Sequence, residues 1–301
     1  MSRIVTVKVP ATTSNLGPGF DCLGMALDIW NTARFEIGGA GFEIRGEGEG
    51  ELGAGASNLV LESFRIPFDE TGREVPDVGI LCENEVPLAR GLGSSATAVV
   101  AGLMAGNQAC GVPFDTRDLL EFAFTKEGHP DNVTPALLGG FQIAVRHEGR
   151  MVTSAAPIPE DLRAVIFIPN VSMPTAEARA ALPSEVSMDD AVFNIGRVAL
   201  LVSAFYTGDY KHLSVATEDR LHQPARQAIF TPMKNIFRAA MGAGALCVFL
   251  SGAGSSVLAL AREREMSIGY EMAEAASKSG VDGSLKITRP TSLGAHLVEG
   301  D

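Results

Sequence analysis

The chain has 301 residues, 46% of them hydrophobic and 20% charged. That is enough apolar material for two cores of about 150 residues each, and it excludes disorder as the main state. Asp and Glu number 36 against 24 Lys and Arg, a formal net charge of -12, which argues against nucleic acid and anionic lipid as partners, because affinity for both comes from Lys and Arg facing phosphate.

A polyanionic ligand must therefore bind at a small local site, where backbone amides, a helix end or a metal ion supply positive charge. Cys22, Cys82, Cys110 and Cys247 are scattered with no C-x-x-C pair. Their spacing speaks against a disulfide framework or structural zinc and for a reducing compartment, each thiol acting as a small buried hydrophobe. No apolar run near the first residues is long enough for a signal peptide. The most apolar stretch, 245–261, is broken by the polar residues 251–256, so a cytoplasmic protein is expected.

Residues 3–10 (RIVTVKVP) alternate apolar and polar side chains and predict a strand, followed by a loop of turn formers at 11–21. Strands are expected at 33–37 and 41–45, joined by a turn at Gly38-Gly39. A glycine-glutamate loop at 46–56 leads to a short helix at 58–66 and a strand at 77–81. The clearest helix spans 94–109, with Val99, Val100, Leu103 and Met104 on its apolar face and Gly111 and Pro113 ending it. A second helix at 118–126 is closed by a loop at 127–132, and a strand returns at 139–145. The polar, proline-bearing stretch 151–159 reads as a connection and divides the chain into domains 1–150 and 151–301. Beyond it come a strand at 164–169, helices at 175–181 and 189–206, a strand-turn-strand at 246–259, a helix at 267–279 and a last strand at 283–288. Helices and strands alternate in both halves, which gives an α+β class in two domains.

The letters G-x-G-x-x-G occur at Gly48, Gly50 and Gly53, but glutamates would face a pyrophosphate there and no apolar helix follows. The looser G-x-G-x-x-A occurs at Gly91, Gly93 and Ala96 and does open a helix. The preceding strand ends about nine residues earlier, whereas a dinucleotide fold needs its first glycine at the strand end. No G-x-x-x-x-G-K-[ST] occurs, which removes the standard P-loop. Two readings stay open on the letters alone. One is a glycine turn with a serine N-cap. The other is a phosphate cradle in which Gly91 and Gly93 let amides converge, while Ser94 and Ser95 add hydroxyls at the positive end of a helix.

Residues 87–96 (PLARGLGSSA) resemble the second motif of the superfamily of galactokinase, homoserine kinase, mevalonate kinase and phosphomevalonate kinase, the GHMP kinases. Residues 7–24 (VKVPATTSNLGPGFDCLG) resemble its first motif in the form found in homoserine kinases, and 250–259 (LSGAGSSVLA) resemble its third. Residues 128–136 (GHPDNVTPA) and 174–183 (PTAEARAALP) are similar to the homoserine kinase patterns H-x-D-N-V-x-P and T-x-x-A-R-x-x-L-P. The resemblance covers the whole chain. It implies a two-domain GHMP kinase fold, with an N-terminal half like ribosomal protein S5 domain 2 and a ferredoxin-like C-terminal half. The implied reaction is ATP plus L-homoserine giving ADP plus O-phospho-L-homoserine in threonine synthesis, with Mg²⁺ as the metal. The rivals are a kinase for mevalonate or diphosphocytidyl-methylerythritol, or a non-catalytic ATP sensor on the same fold. A homodimer is left open.

The resemblance also implies roles. Pro87, Leu88, Ala89, Arg90, Gly91, Leu92, Gly93, Ser94, Ser95, Ala96 and Thr97 would form the ATP phosphate loop, with Asn58 at the adenine. Arg179 and Arg226 would hold the substrate carboxylate through planar forks. Asp21 would take the ammonium, Asn15 would hydrogen-bond the substrate, and His129 and Thr175 would line the site. Glu127 with the Ser94 hydroxyl would hold Mg²⁺. Asn132 would align the attacking hydroxyl, with Asp131 as the alternative base. The loop 251–256 would buttress the phosphate loop.

Overall fold

The computed structural model describes residues 3–51 and 58–298. Residues 52–57, which take in Gly53 and most of the second half of the glycine-glutamate loop, lie outside the described residues.

Strands β1 (Arg3–Ser14) and β2 (Leu23–Ile37) form a long antiparallel pair. Alternation along β1 puts Val5, Val7 and Val9 into one core, and a bulge between Pro10 and Ala11 re-aims the strand so that Ala11 enters another. The first sheet has seven strands in the order β11 (His296–Val298), β1, β2, β4 (Val78–Asn84), β3 (Phe42–Gly46). The hairpin β5 (Phe141–His147) and β6 (Arg150–Ala156) joins it through β5 against β2. Helix α1 (Leu59–Thr71) crosses between β3 and β4, which is why those two strands run parallel.

Helices α2 (Ser94–Ala109), α3 (Thr116–Glu127) and α4 (Pro130–Leu138) pack with α1 over this sheet, burying Phe35, Phe64, Val99, Leu103 and Leu120. Glycine inside α2 has a packing reason: a Cβ at Gly106 would stand 2.2 Å from the Phe64 carbonyl oxygen of α1.

The second sheet runs β10 (Gly283–Thr288), β7 (Arg163–Pro169), β9 (Val257–Ala261), β8 (Cys247–Leu250), antiparallel throughout. Strand β7 is buried on both faces, hence its unbroken apolar run. Val165 and Phe167 face helices α9 (Met233–Ala243) and α10 (Glu265–Lys278). Ala164, Ile166 and Ile168 join a central core with Met25 and Leu27 of β2 and Leu201 and Phe205 of α6 (Met188–Thr207). That shared core joins the two sheets and so fixes the walls of the cleft between them. Helices α5 (Thr175–Ala180), α7 (Leu213–Ala216) and α8 (Gln223–Ile229) complete the elements.

Several expectations from the sequence change here. The expected loop at 11–21 starts only after Ser14, and β2 begins at Leu23 rather than near 33. Asp28, Asn31 and Thr32 interrupt its apolar alternation. Strand β3 does not turn back on β2 through Gly38-Gly39; it pairs with β4. Helix α4 lies where a closing loop was expected, masked by Pro130 at its first turn and Pro135 within it. Helices α8 and α9 and strand β11 had no sequence expectation. The supposed connection at 151–159 is in large part β6, polar because it is an exposed edge. Both β6 and β11 belong to the first sheet, so a division at residue 150 would cut the β5–β6 hairpin and miss the return of the last strand.

The four cysteines are unpaired, with Cys82, Cys110 and Cys247 buried and Cys22 half-buried. Among the described residues no helix is long and apolar enough to cross a membrane.

Candidate active site

From the end of β4 the chain crosses residues 85–93 and enters α2 at Ser94. Gly91 and Gly93 adopt φ of 74° and 73°. A Cβ would lie 2.0 Å from the Ser251 carbonyl oxygen at Gly91 and 2.0 Å from Thr12 Oγ1 at Gly93, so conformation and space both require glycine. The loop is gripped by two other segments. Thr12 N donates to the Leu92 carbonyl (3.1 Å), Ser256 N to that of Arg90 (3.1 Å) and Ser251 Oγ to that of Gly91 (2.7 Å). Gly252 N donates in turn to the Ser14 carbonyl (3.1 Å), so β1, the loop 251–256 and the glycine loop lock together. The first turn of α2 contains no acidic residue, which leaves its positive end uncompensated.

Two cavities meet at this loop. The larger, about 820 Å³, has apolar walls from Phe42, Ile44, Leu59 and Val60; the smaller, about 100 Å³, is polar in its lining groups. Ala89, Arg90, Ser94, Ser95 and Thr175 line both. Asn58 lies on the larger cavity and caps α1, its Oδ1 accepting from Val60 N at 3.0 Å. Pro87, Gly91, Leu92, Gly93 and Ala96 line the smaller cavity, and Leu88 and Thr97 the larger. Arg90 is spent on protein carbonyls, donating to Pro169 and Asn170 at 2.8 Å each, and so ties the loop to the end of β7.

The smaller cavity gathers Asn15, Asp21, Glu127, His129, Asp131, Asn132, Arg179 and Arg226 from both halves of the chain. Arg179 and Asp21 form a two-point ion pair at 2.9 and 2.8 Å. Asn15 bridges its own loop to Gly252, accepting from Asp21 N (3.0 Å) and donating to the Gly252 carbonyl (3.0 Å). Arg226 is 2% exposed, and its Nη1 donates to the Gly252 carbonyl at 2.9 Å. Its Nε is buried without a protein partner. Burial, then the charge of Arg179, push the guanidinium down to about 10.

Asn132 is held rigidly: its Oδ1 accepts from Thr12 Oγ1 (2.8 Å) and its Nδ2 donates to Ser14 Oγ (3.0 Å). His129 Nδ1 lies 3.2 Å from Asp131 Oδ1, and that carboxylate is the main cause raising the imidazole pKa against the opposing effect of burial. Ser95 Oγ donates to the Glu127 carboxylate, and Ser94, expected to hold Mg²⁺ together with Glu127, lines the same cavity one residue earlier. Among the described residues no group of three or more His, Cys, Asp or Glu could hold a metal alone. One carboxylate beside hydroxyls suits a cation whose remaining ligands come from bound phosphates.

Thr12, Ser14, Asn31 and His222 make hydrogen bonds that brace this cleft, and none of them was singled out from the sequence. Asn31 Oδ1 accepts from Glu85 N and Val86 N at 2.9 Å each, fixing the start of the glycine loop. Asn31 lies outside the strand expected at 33–37, so nothing in the sequence marked it.

Comparison with known proteins agrees with this geometry. The GHMP kinases N terminal domain matches residues 58–140 and the GHMP kinases C terminal domain matches 201–278. Homoserine kinase of Moorella thermoacetica is 41% identical over 97% of this chain and 99% of its own length. That of Nostoc punctiforme is 44% identical over 85% of this chain and 86% of its own. The crystal structure of homoserine kinase from Cytophaga hutchinsonii superimposes with a TM-score of 0.88 at 30% identity, covering 98% of this chain and 97% of that one. The two-domain architecture, the locked glycine loop and this near full-length kinship have one reading: the chain belongs to the homoserine kinase family of the GHMP kinases.

Proposed function

We propose that this chain transfers the γ-phosphoryl group of ATP to the side-chain hydroxyl of L-homoserine, giving ADP and O-phospho-L-homoserine for threonine synthesis. The observation that carries this reading is Arg226: a buried cation with an unpartnered Nε, lining a small cavity that adjoins the glycine loop. A buried arginine of this kind calls for a carboxylate, which its planar fork binds in two parallel charged hydrogen bonds. Mevalonate also has a carboxylate but no ammonium, and the Asp21 carboxylate favours a substrate bearing both.

ATP would lie with its base against the apolar wall of the larger cavity near Asn58 and its phosphates on the amides of residues 91–95. Glu127 with the Ser94 and Ser95 hydroxyls would hold Mg²⁺, which when bound neutralises charge on the β- and γ-phosphates. Arg226 and Arg179 hold the substrate carboxylate and Asp21 its ammonium, while His129 and Thr175 close the sides. Asn132, already fixed by Thr12 and Ser14, cannot accept a proton. It orients the hydroxyl, and positioning of this kind supplies about 7–11 kcal/mol in favourable cases. Asp131 is the neighbouring carboxylate to which the hydroxyl proton could pass. A cytoplasmic enzyme acting on small molecules agrees with the net charge of -12.

A coupled ADP-release assay across L-homoserine, mevalonate and diphosphocytidyl-methylerythritol tests the reading. Turnover is expected with homoserine alone. Turnover with mevalonate and none with homoserine would sink it, and ATP binding without turnover of any alcohol would favour a sensor.

A further inference from the structure

We infer that His222 is a positioning residue which, as its neutral Nε2–H tautomer, aims Arg226 at the substrate carboxylate. The inference rests on the carboxylate role proposed for Arg226. The imidazole is fully buried, at 0% exposure, and sits one helical turn before Arg226 at the start of α8. Its Nε2 lies 2.7 Å from the Gly17 carbonyl oxygen and its Nδ1 lies 2.9 Å from Arg226 Nη1. A carbonyl oxygen can only accept and a guanidinium nitrogen can only donate. Both contacts are satisfied only when the proton is on Nε2 and the lone pair is on Nδ1. A second proton would set Nδ1–H against the guanidinium N–H.

The surroundings favour that neutral state. Burial is the largest influence lowering the imidazole pKa, opposed by Asp219, whose Oδ2 is 3.6 Å from Nε2, and seconded by the charge of Arg226. The Gly17 carbonyl and, more weakly, Asp131 pull the other way. Asp219 is itself saturated: it accepts from the amides of Leu221, His222 and Gln223 and from Asn194 Nδ2 at 2.6–2.9 Å. It therefore pins the His222 backbone and places a negative charge behind the ring. Phe20 stacks on the ring with centroids 5.3 Å apart.

The consequence reaches both walls of the cavity. With Nη1 held by His222 and the Gly252 carbonyl, the guanidinium is fixed in place where Arg226 lines the smaller cavity. Gly17 belongs to the same loop as Asn15 and Asp21, and a Cβ there would stand 2.1 Å from the Thr217 carbonyl oxygen, so that loop is pressed onto the segment carrying His222. One buried ring thus ties the carboxylate-binding arginine to the loop assigned to the ammonium.

The test uses full-length His222→Leu, His222→Gln and Arg226→Met variants and the His222→Leu/Arg226→Met double variant. Steady-state kinetics would be run with homoserine and with 3-aminopropan-1-ol, which lacks only the carboxylate. His222→Leu should raise KM for homoserine about tenfold or more, as expected for a lost hydrogen bond to a charged group. It should leave kcat and the ATP KM unchanged, spare 3-aminopropan-1-ol, and add little to Arg226→Met. Gln should restore affinity to within about threefold, because its amide oxygen can accept from Arg226 while its amide nitrogen donates to Gly17. Wild-type KM for homoserine should rise as pH falls through the lowered His222 pKa, and His222→Gln should lack that rise even if the Leu variant does not fold. Equal losses on both alcohols, additivity with Arg226→Met, or an unchanged acid limb in the Gln variant would overturn the inference. If Arg226→Met alone leaves KM for homoserine unchanged, the reading of Arg226 has failed and the inference falls with it.

Discussion

Arg179 and Asp21, 158 positions apart in the chain, meet in a two-point ion pair with Nη1 to Oδ2 at 2.9 Å and Nη2 to Oδ1 at 2.8 Å. These are the two groups assigned to the opposite charges of a zwitterionic substrate, and without it they neutralise each other. Their side chains are 42% and 34% exposed, so the pair contributes only about 0–1 kcal/mol and opens cheaply when an ammonium and a carboxylate arrive together. Arg179→Ala should raise KM for homoserine by about tenfold or more through the lost charged hydrogen bonds, with ATP affinity near normal. Loss of ATP affinity instead would remove Arg179 from the carboxylate.

The proton acceptor is decided by a comparison of rates. Asn132 is bound by Thr12 and Ser14, whereas Asp131 is 3% exposed and faces His129. If orientation dominates, Asn132→Ala loses more kcat than Asp131→Ala, by about 100-fold for a displaced reacting group. The reverse order would make Asp131 the base.

Gly93→Ala should cost far more than a generic glycine substitution. Its φ of 73° strains any side chain, and the new Cβ would also press on Thr12 Oγ1, displacing the loop and the partner of Asn132. A loss in kcat/KM of about 100-fold is expected. Gly208→Ala is the control: φ is 71° but nothing lies within 4 Å of the new Cβ. It should lower stability by about 1 kcal/mol and leave kinetics intact.

His129 supplies a stability signature with a definite sign. Its pKa is raised above 6.5, chiefly by Asp131. A raised cationic pKa stabilises the fold fully below the unfolded value and ceases to do so as pH rises through the folded one. The Tm advantage of the wild type over His129→Gln should therefore be largest near about pH 5.5 and shrink by about pH 8.5. A gap that widens with pH would contradict the Asp131 pairing.

Glu127 bonds to the Ser95 hydroxyl at the rim of the phosphate loop. Glu127→Gln should raise the Mg²⁺ concentration needed for half-maximal turnover about tenfold, since a carboxylate ligand is replaced by a neutral amide. An unchanged Mg²⁺ dependence would place the metal elsewhere.

Much of the site was legible in short contiguous patterns. The glycine loop, the strength of α2 and the order of the family motifs depend on neighbours in sequence, where spacing alone decides backbone freedom and helix polarity. The polar supports were not. Thr12 and Ser14 read as turn formers, and Asn31 and His222 carried no pattern at all. Each gains its meaning from a partner more than 50 positions away or from complete burial, as Thr12 does from Asn132 and Asn31 from Val86. Prolines hid α4, since a helix with Pro130 and Pro135 scores as a loop by composition.

By itself, the sequence determined a two-domain α+β class, because apolar periodicity encodes local backbone geometry directly, while the GHMP kinase type came from the resemblance of its motifs to that superfamily. The tertiary structure alone decided that Ser95 bonds Glu127, that Arg179 closes on Asp21 and that Arg226 lies buried with its Nε unpartnered. It also decided that the last strand returns to the first sheet. Those outcomes depend on desolvation and on distances between segments remote in the chain, and neither quantity is a property of any local stretch of residues.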